Sequence, residues 1–292
     1  MTGTIGSPRL RRLLRWSALP LSVLVGLPLL GAGLVWLGSE LVFARTYPRS
    51  PEPMRVQATA EMINEGRRRA DIFGCTSCHG AELHGRRMWD EPGAYLIQSS
   101  NLTRASRRYS DEQLAQAIRQ GVRHDGRALW GMPSEMFSRM NDEETAAVIA
   151  YIRSRPADGP ERPAPRWWLP GRLQVIRGQF KPEPAYVAEA RTKLPLAAGP
   201  DHAAGRHIAA SVCSECHGPD LAGDGKGTPD LAIAAAYDPA DFHRLMRTGK
   251  AAGDRELRMM SGVARDRFSR FTDAEVEALH AYLKARAALK SG

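Results

Sequence analysis

Cysteine is scarce in this chain, because only four of its 292 residues are cysteines. All four belong to two copies of one five-residue pattern, Cys-Thr-Ser-Cys-His at residues 75–79 and Cys-Ser-Glu-Cys-His at residues 213–217. No thiol is left over, which excludes a framework of structural disulfides. A convincing alternation of apolar and polar residues is also lacking, so the globular part is not expected to consist of β-strands.

An acidic surplus is lacking as well, since lysine and arginine outnumber aspartate and glutamate and give a formal net charge of +9. The arginines are scattered along the whole chain and do not gather on a recognition helix, which argues against nucleic acid as a partner. We therefore expect a solvated basic surface. Such a surface can assist docking onto acidic proteins or anionic lipid.

The pattern Cys-x-x-Cys-His is the signature of covalent haem attachment. Two thiols about one helical turn apart can add to the two vinyl groups of the porphyrin, and the histidine that follows binds the iron. A redox dithiol or a four-cysteine zinc site also uses Cys-x-x-Cys pairs, but neither explains a histidine directly after both pairs. The residues predicted to hold two haems c are Cys75, Cys78 and His79 in the first copy and Cys213, Cys216 and His217 in the second.

Charge is absent from Trp16 to Ser39, twenty-four consecutive residues. As a helix this stretch spans about 36 Å, which exceeds a hydrocarbon core of roughly 30 Å. Residues 42–44 (Val-Phe-Ala) could serve as a cleavage site, but a signal peptide usually has an apolar region of only about 7–15 residues, so a retained anchor is favoured. The arginines that precede it predict a cytoplasmic amino terminus and a periplasmic remainder at a bacterial inner membrane.

Beyond the anchor the chain contains an internal duplication. Residues 80–85 after the first motif correspond without a gap to residues 218–223 after the second, and both copies end in a similar segment, at residues 142–152 and 273–283. Capping patterns at Ser110, Asn141 and Thr272 mark three helix starts. We expect an all-α fold in which each copy is a small helical bundle around its porphyrin, with Tyr151 and Tyr282 in the core at a helix crossing.

The duplication divides the chain into four parts. These are residues 1–46 as tail and anchor, 57–155 and 200–290 as the two haem domains, and 156–199 as a connector. The segment from Arg155 to Pro200 contains nine prolines and cannot be one continuous helix, so a largely extended connector is expected. Its apolar patch, at residues 167–168 and 173–180, can pack within the protein, contact lipid or receive another protein.

The two repeats resemble class I cytochrome c domains, and the chain as a whole resembles membrane-anchored dihaem c-type cytochromes of bacterial respiratory chains. The cytochrome subunits of membrane-bound alcohol and aldehyde dehydrogenases are similar in motif style. The resemblance covers roughly residues 59–289 apart from the connector, and the attachment motifs carry most of its specificity. It implies a methionine as the sixth iron ligand, on a loop before the last helix of each domain.

Both copies contain candidates for that methionine. In the first, Met132 stands in a Gly-Met-Pro-Ser segment that resembles the Met-Pro loop of the family, while Met136 and Met140 are interpreted as core or haem-edge residues. In the second, no proline follows the methionines, and Met259 and Met260 are hard to separate. We favour Met260 because it aligns better with the loop residues that follow.

The resemblance implies electron transfer by low-spin haem without substrate binding, so the chain is expected to be a carrier or a redox subunit and not an enzyme. The donor would be a quinol-oxidising protein or a dehydrogenase, and the acceptor an oxidase or a soluble cytochrome. The alternative is a dihaem peroxidase, in which one iron keeps an open position for peroxide. A free carrier and a fixed subunit share this chemistry, and the sequence does not separate them.

Overall fold

The protein is described by a computed structural model that covers residues 8–49 and 53–291, with side chains from residue 22 to residue 290 within those ranges. The chain divides into two compact units. The first unit contains the amino-terminal helix with residues 91–95 and 167–180, and the second contains residues 46–90, 96–166 and those from 181 onward. Both Cys-x-x-Cys-His motifs lie in the second unit.

The protein is all-α in class, as predicted. The α-helices of the described residues are α1 (Pro8–Ala44), α2 (Ala60–Ile72), α3 (Cys75–His79), α4 (Leu102–Ala105), α5 (Asp111–Gln120), α6 (Ser134–Phe137), α7 (Asp142–Ser154), α8 (Leu169–Ile176), α9 (Glu183–Arg191), α10 (Ala203–Ile208), α11 (Ser214–His217), α12 (Pro239–Thr248), α13 (Met259–Asp266) and α14 (Asp273–Ser291). Short strands, which the sequence did not reveal, are β1 (Arg87–Glu91), β2 (Tyr95–Gln98), β3 (Arg166–Trp167), β4 (Lys250–Ala251) and β5 (Arg255–Glu256). Strands β4 and β5 pair antiparallel, with Lys250 opposite Glu256.

In the first unit, α8 packs along α1. The stretch Ser22–Ala44 of α1 has a mean hydropathy of 1.8 and is long and apolar enough to cross a membrane. Residues 16–21 of the predicted anchor also lie in α1, but their side chains are not among those that the structure describes. Arg172 on α8 pairs with Glu40 on α1 at 2.7 Å. Trp167 packs against Phe43, with ring centroids 5.4 Å apart, so part of the predicted apolar patch packs within the protein.

The connector is extended only in part, because the two helices α8 and α9 interrupt it, which the sequence did not predict. Two of its prolines permit this because Pro170 and Pro184 occupy the first turn of these helices. A proline in the first turn sacrifices no intrahelical hydrogen bond, and its fixed φ angle suits a helix. These two prolines therefore mark helix starts, while the segment as a whole is not one continuous helix, as expected.

In each repeat the helix before the attachment motif crosses the last helix of the repeat at a glycine. A Cβ added to Gly66 on α2 would lie 1.9 Å from the carbonyl oxygen of Ala147 on α7, and one added to Gly205 on α10 would lie 2.0 Å from that of Ala278 on α14. Tyr151 and Tyr282 lie at these two crossings and are 6% and 0% exposed, which confirms them as core aromatics. The equivalence of the two glycines also shows that the second copy has one residue fewer before its first cysteine, where a π-helical segment, Ala209–Cys213, replaces the turn.

Gly66→Ala is expected to destabilise the first domain by about 3 kcal/mol, because the new methyl group forces α2 away from α7. Denaturant unfolding followed by circular dichroism measures this loss. Gly262→Ala on α13 is the matched control, since no heavy atom lies within 4 Å of its added Cβ, and alanine should leave the protein as stable or slightly more so. Equal stability of the two variants would show that the crossing is not as close as described.

All three predicted capping patterns are confirmed. Ser110 and Asn141 form reciprocal capping boxes with Gln113 and Glu144 at the starts of α5 and α7. Thr272 does the same at the start of α14, where it accepts a hydrogen bond from the Glu275 N–H at 3.2 Å and donates its own N–H to the Glu275 carboxylate at 2.7 Å.

The two repeats meet at an interface with approximate twofold symmetry. Arg68 on α2 pairs with Glu275 at 2.7 Å, and His207, which takes the place of Arg68 in the second copy, pairs with Glu144, the counterpart of Glu275, at 2.8 Å. Arg69 adds a bond to Glu144 at 3.1 Å. Glu144 is only 6% exposed, so its carboxylate is shielded from solvent. The Arg68–Glu275 and His207–Glu144 pairs each join the helix before one motif to the last helix of the other domain.

Candidate functional site

The two motif histidines are held in the same way. The Nδ1 atom of His79 lies 2.7 Å from the carbonyl oxygen of Ser100, and that of His217 lies 2.8 Å from the carbonyl oxygen of Pro229. A carbonyl oxygen can only accept a hydrogen bond, so Nδ1 carries the proton in each ring and Nε2 presents its lone pair. This is the arrangement that orients a histidine as a metal ligand.

Both histidines are buried, each with 8% of the residue exposed. Burial lowers the pKa of His79, although the hydrogen bond to Ser100 opposes the shift. The ring therefore stays neutral and keeps the lone pair that iron requires.

A strained leucine follows each motif at the same position of the repeat. Leu83 and Leu221 are fully buried and adopt positive φ angles of 61° and 63°, which cost roughly 1–2 kcal/mol each for a residue other than glycine. Their carbonyl oxygens accept hydrogen bonds from Leu102 N–H at 2.8 Å and Leu231 N–H at 3.0 Å. The strained turn thus links each motif to the segment whose carbonyl holds its histidine.

The surroundings of the four motif cysteines disfavour the thiolate form. Burial raises the pKa of Cys75 and Cys213 to about 12 and also raises the pKa of Cys78 and Cys216. A redox dithiol needs a lowered thiol pKa instead. Within residues 8–49 and 53–291, no three or more His, Cys, Asp or Glu side chains come together as a metal site, so the four cysteines do not assemble the zinc site considered above.

Met132 lies on the loop before α6, half-buried against the hydrophobic core. The carboxyl group of Glu183 on α9 accepts hydrogen bonds from the backbone N–H groups of Gly131 at 2.9 Å and Met132 at 3.1 Å. Burial, with a contribution from Glu135, raises the pKa of Glu183 to about 9, so the group is protonated at neutral pH. Met136 and Met140 are 1% and 2% exposed and belong to the core, as expected.

The second methionine pair is separated by exposure. Met259 is 75% exposed, whereas Met260 is half-buried and packs against the core. Ser261 fixes this loop, because its hydroxyl accepts a hydrogen bond from Leu257 N–H at 2.7 Å and donates one to the Gly249 carbonyl at 2.5 Å. Of the two methionines, only Met260 packs against the core.

Other histidines have partners that account for them. His84 pairs with Asp158 at 2.7 Å and His243 with Asp273 at 2.9 Å. His280 stacks on Phe242, with ring centroids 4.4 Å apart. These contacts give the three histidines structural roles.

Two regions of the chain, residues 65–156 and 202–287, match the family model described as cytochrome c. The chain belongs to the cytochrome c family. Each of the two cytochrome c regions contains one attachment motif, one carbonyl-held histidine and a half-buried candidate methionine, Met132 or Met260, and these residues fit a covalently bound haem. The family identifies the chain as an electron-transport protein that binds haem c.

Similar proteins are cytochrome subunits of dehydrogenases. The fructose dehydrogenase cytochrome subunit of Gluconobacter japonicus is 26% identical over 276 residues, covering 82% of this chain and 55% of that protein. The alcohol dehydrogenase (quinone) cytochrome c subunit of Gluconacetobacter polyoxogenes is 26% identical over 275 residues, covering 78% of this chain and 56% of that protein. Its namesake in Komagataeibacter europaeus gives the same identity and the same coverage. The chain therefore spans little more than half the length of these relatives.

Several residues at the site were not predicted from the sequence. Ser100 and Pro229 hold the two histidines through their backbone carbonyl groups, so the type of side chain at these positions does not reveal the role. Glu183 lies in the connector, far in sequence from the loop that it holds. Arg286 on α14 is 1% exposed and pairs with Asp230, the residue after Pro229, at 2.7 Å.

Asp230→Asn is expected to remove a pH-dependent part of the stability of the second domain. Burial opposes ionisation of Asp230, but hydrogen bonds from Arg286 and Lys290 outweigh it and hold the pKa of this carboxyl well below its usual value. A carboxyl with a lowered pKa in the folded state contributes stability above its unfolded pKa of about 4 and loses it as the pH falls further.

The free energy of unfolding, measured between pH 7 and pH 2, tests this expectation. The variant should be about 1–3 kcal/mol less stable than the parent at pH 7, because Arg286 loses a charged partner, and the difference should shrink toward pH 2. Glu277→Gln, at an exposed site on the same helix, is the control. A difference that does not change with pH would contradict the ion pair.

Proposed function

We propose that the chain is a membrane-anchored dihaem cytochrome c that transfers electrons on the periplasmic side of a bacterial inner membrane. The observation that carries this proposal is the repeated geometry of His79 and His217, each with Nδ1 on a backbone carbonyl and Nε2 free. One such histidine follows a Cys-x-x-Cys pair in each cytochrome c region, so each region has its own means of binding iron.

The protein residues then have distinct roles. Cys75 with Cys78, and Cys213 with Cys216, would attach the haems covalently, and His79 and His217 would bind the irons. Met132 and Met260 would supply the second ligand to each iron, and Glu183 holds the backbone of the Met132 loop. Haem c bound in this way supplies a one-electron ferric/ferrous couple. A neutral, soft thioether opposite histidine raises the reduction potential, and burial acts in the same direction by disfavouring the additional ferric charge.

The anchor is α1. Ser22–Ala44 is long and apolar enough to span a membrane, and Trp168 and Ile176 on the adjoining α8 segment are 41% and 43% exposed, where they can contact lipid. The arginines before residue 16 place the amino terminus in the cytoplasm. An anchored carrier remains close to its partners in two dimensions, which raises its effective concentration.

The partners that we propose follow from the similar proteins. Their printed names describe cytochrome subunits of fructose and alcohol dehydrogenases. By this likeness the donor is a dehydrogenase or a quinol-oxidising protein, and the acceptor is an oxidase or a soluble cytochrome. The chain itself is then a redox subunit or a carrier without a substrate site.

Rapid mixing of the full chain, purified in mild detergent and chemically reduced, tests this function. Ferric soluble cytochrome c should withdraw two electrons per chain, and hydrogen peroxide should give no catalytic turnover with an electron donor. Peroxide turnover with high-spin haem in one domain would contradict the proposal and identify a peroxidase instead. Co-elution of a dehydrogenase from native membranes would assign the chain as a fixed subunit.

A further inference from the structure

Arg267 lies where the two attachment motifs meet. It follows α13 in the second domain, and only 8% of the residue is exposed. Its Nε atom donates a hydrogen bond of 2.9 Å to the carbonyl oxygen of Ile72, three residues before Cys75 in the first domain. Its Nη1 atom pairs at 2.7 Å with Glu215, which stands between the two cysteines of the second motif.

The contact with the first motif is close. A Cβ added to Gly74, the residue directly before Cys75, would lie 2.9 Å from the guanidinium carbon of Arg267. Gly74 also has a positive φ angle of 76°, so both its conformation and its surroundings favour glycine. A single guanidinium group therefore touches the start of one motif and the middle of the other.

The charge of Arg267 reaches both sites. Its guanidinium group lies beside Gly74, the residue before Cys75, and pairs with Glu215, the residue before Cys216. Thioether bonds at these cysteines would place an edge of each porphyrin there. The same cation would then lie near the attached edge of each haem.

Neutralisation of this charge is incomplete. The Nη2 atom of Arg267 is buried without a hydrogen-bond partner among the described residues. The Glu215 side chain is 30% exposed, against 10% for Arg267, so solvent screens the carboxylate more than the guanidinium. Arg267 and Glu215 therefore act on the two motifs with opposite signs, and the removal of either charge should move the potential there in a predictable direction.

Resting on the proposed dihaem function, we propose that Arg267 is a positioning and electrostatic residue that raises the reduction potentials of both haems at once. A ferric haem carries one more positive charge than a ferrous haem, so a nearby buried cation favours the ferrous state. When an electron passes between the domains, one iron is oxidised from ferrous to ferric as the other is reduced from ferric to ferrous, and no proton is transferred. Because Arg267 acts on both, it raises the two potentials together.

Potentiometric titration of the full chain in detergent tests the proposal, with haem counted by mass in each variant. Arg267→Gln should shift both midpoint potentials downward, and Arg267→Lys should restore most of the loss by keeping the charge. Glu215→Gln should shift both upward, because it removes the opposing carboxylate and leaves Arg267 in place. Arg270→Gln is the control: this arginine lies three residues further on, its side chain is 59% exposed, and its replacement should move neither potential.

The two charge changes separate electrostatics from disruption. Loosening of the interface would lower the potentials in any variant, whereas an electrostatic effect should raise them in Glu215→Gln. An upward shift in Glu215→Gln therefore separates the two explanations. This test remains available if the Arg267→Gln protein does not accumulate in cells. The role of Arg267 would be overturned if Arg267→Gln and Glu215→Gln shifted the potential of one haem only, or shifted both no more than Arg270→Gln does. The proposed dihaem function would be unaffected by that result. Absence of covalent haem from the parent protein would instead overturn the proposed function.

Discussion

Met132→Leu should convert the first haem from low-spin to high-spin and abolish its share of the far-red absorption band of methionine-ligated ferric haem. Leucine fills a similar volume but offers no lone pair, so the iron loses its sixth ligand while the core remains packed. The midpoint potential of that haem should fall by on the order of a tenth of a volt or more, within the roughly 0.8 V range that axial ligation spans. Optical spectra and electron paramagnetic resonance measure the loss of the ligand, and potentiometric titration measures the fall in potential.

The second domain provides an internal control for this experiment. Met260→Leu should remove the remaining far-red absorption, whereas Met259→Leu, at a side chain that is 75% exposed, should leave spectra and potentials unchanged. The two residues are adjacent at the start of α13, so the pair is matched in composition and location. Loss of the band in Met259→Leu and not in Met260→Leu would reverse the assignment of the ligand.

Replacement of both Cys75 and Cys78 by alanine should reduce the covalent haem per chain to half. The first domain should also lose much of its stability, because it would no longer be packed around a covalently fixed porphyrin. Mass analysis and a haem stain after denaturing electrophoresis measure attachment, and thermal unfolding measures stability. Haem that is not covalently bound dissociates from the chain under denaturing conditions, so these measurements count only covalently attached haem.

Ser77→Ala is the matched control for that double variant. Ser77 lies between the two cysteines, is exposed, and is given no role in attachment. It should retain the full haem content and the parental stability. If the double variant kept two covalent haems, the assignment of the first motif would be wrong.

The sequence predicted those parts of the site that depend on residue type. Cys-x-x-Cys-His identifies its own chemistry, and the capping patterns at Ser110, Asn141 and Thr272 marked helix starts that the structure contains. The glycine that follows each motif and the aromatic residues at the helix crossings repeat at fixed spacing. Such local signals survive in a single sequence because each reflects a contact within a few residues or one helix period.

The remainder depends on distant contacts. Ser100 and Pro229 accept the histidine hydrogen bonds through backbone carbonyls, which every residue has, so their side chains give no indication of this role. Arg267 is one of 41 lysine and arginine residues, and only the packing of the second domain against the first shows that it is buried between the motifs. The two helices of the connector were missed for a related reason, since a proline both starts and ends helices and its effect depends on its position in the turn.

The measurement that tests the account most directly is a spectroscopic redox titration of the purified full chain, with covalent haem quantified on the same sample. We expect two haems per chain, both low-spin and methionine-ligated in the ferric state, each titrating with one electron. A chain without covalent haem, or one in which either iron is high-spin with an open position, would contradict the account.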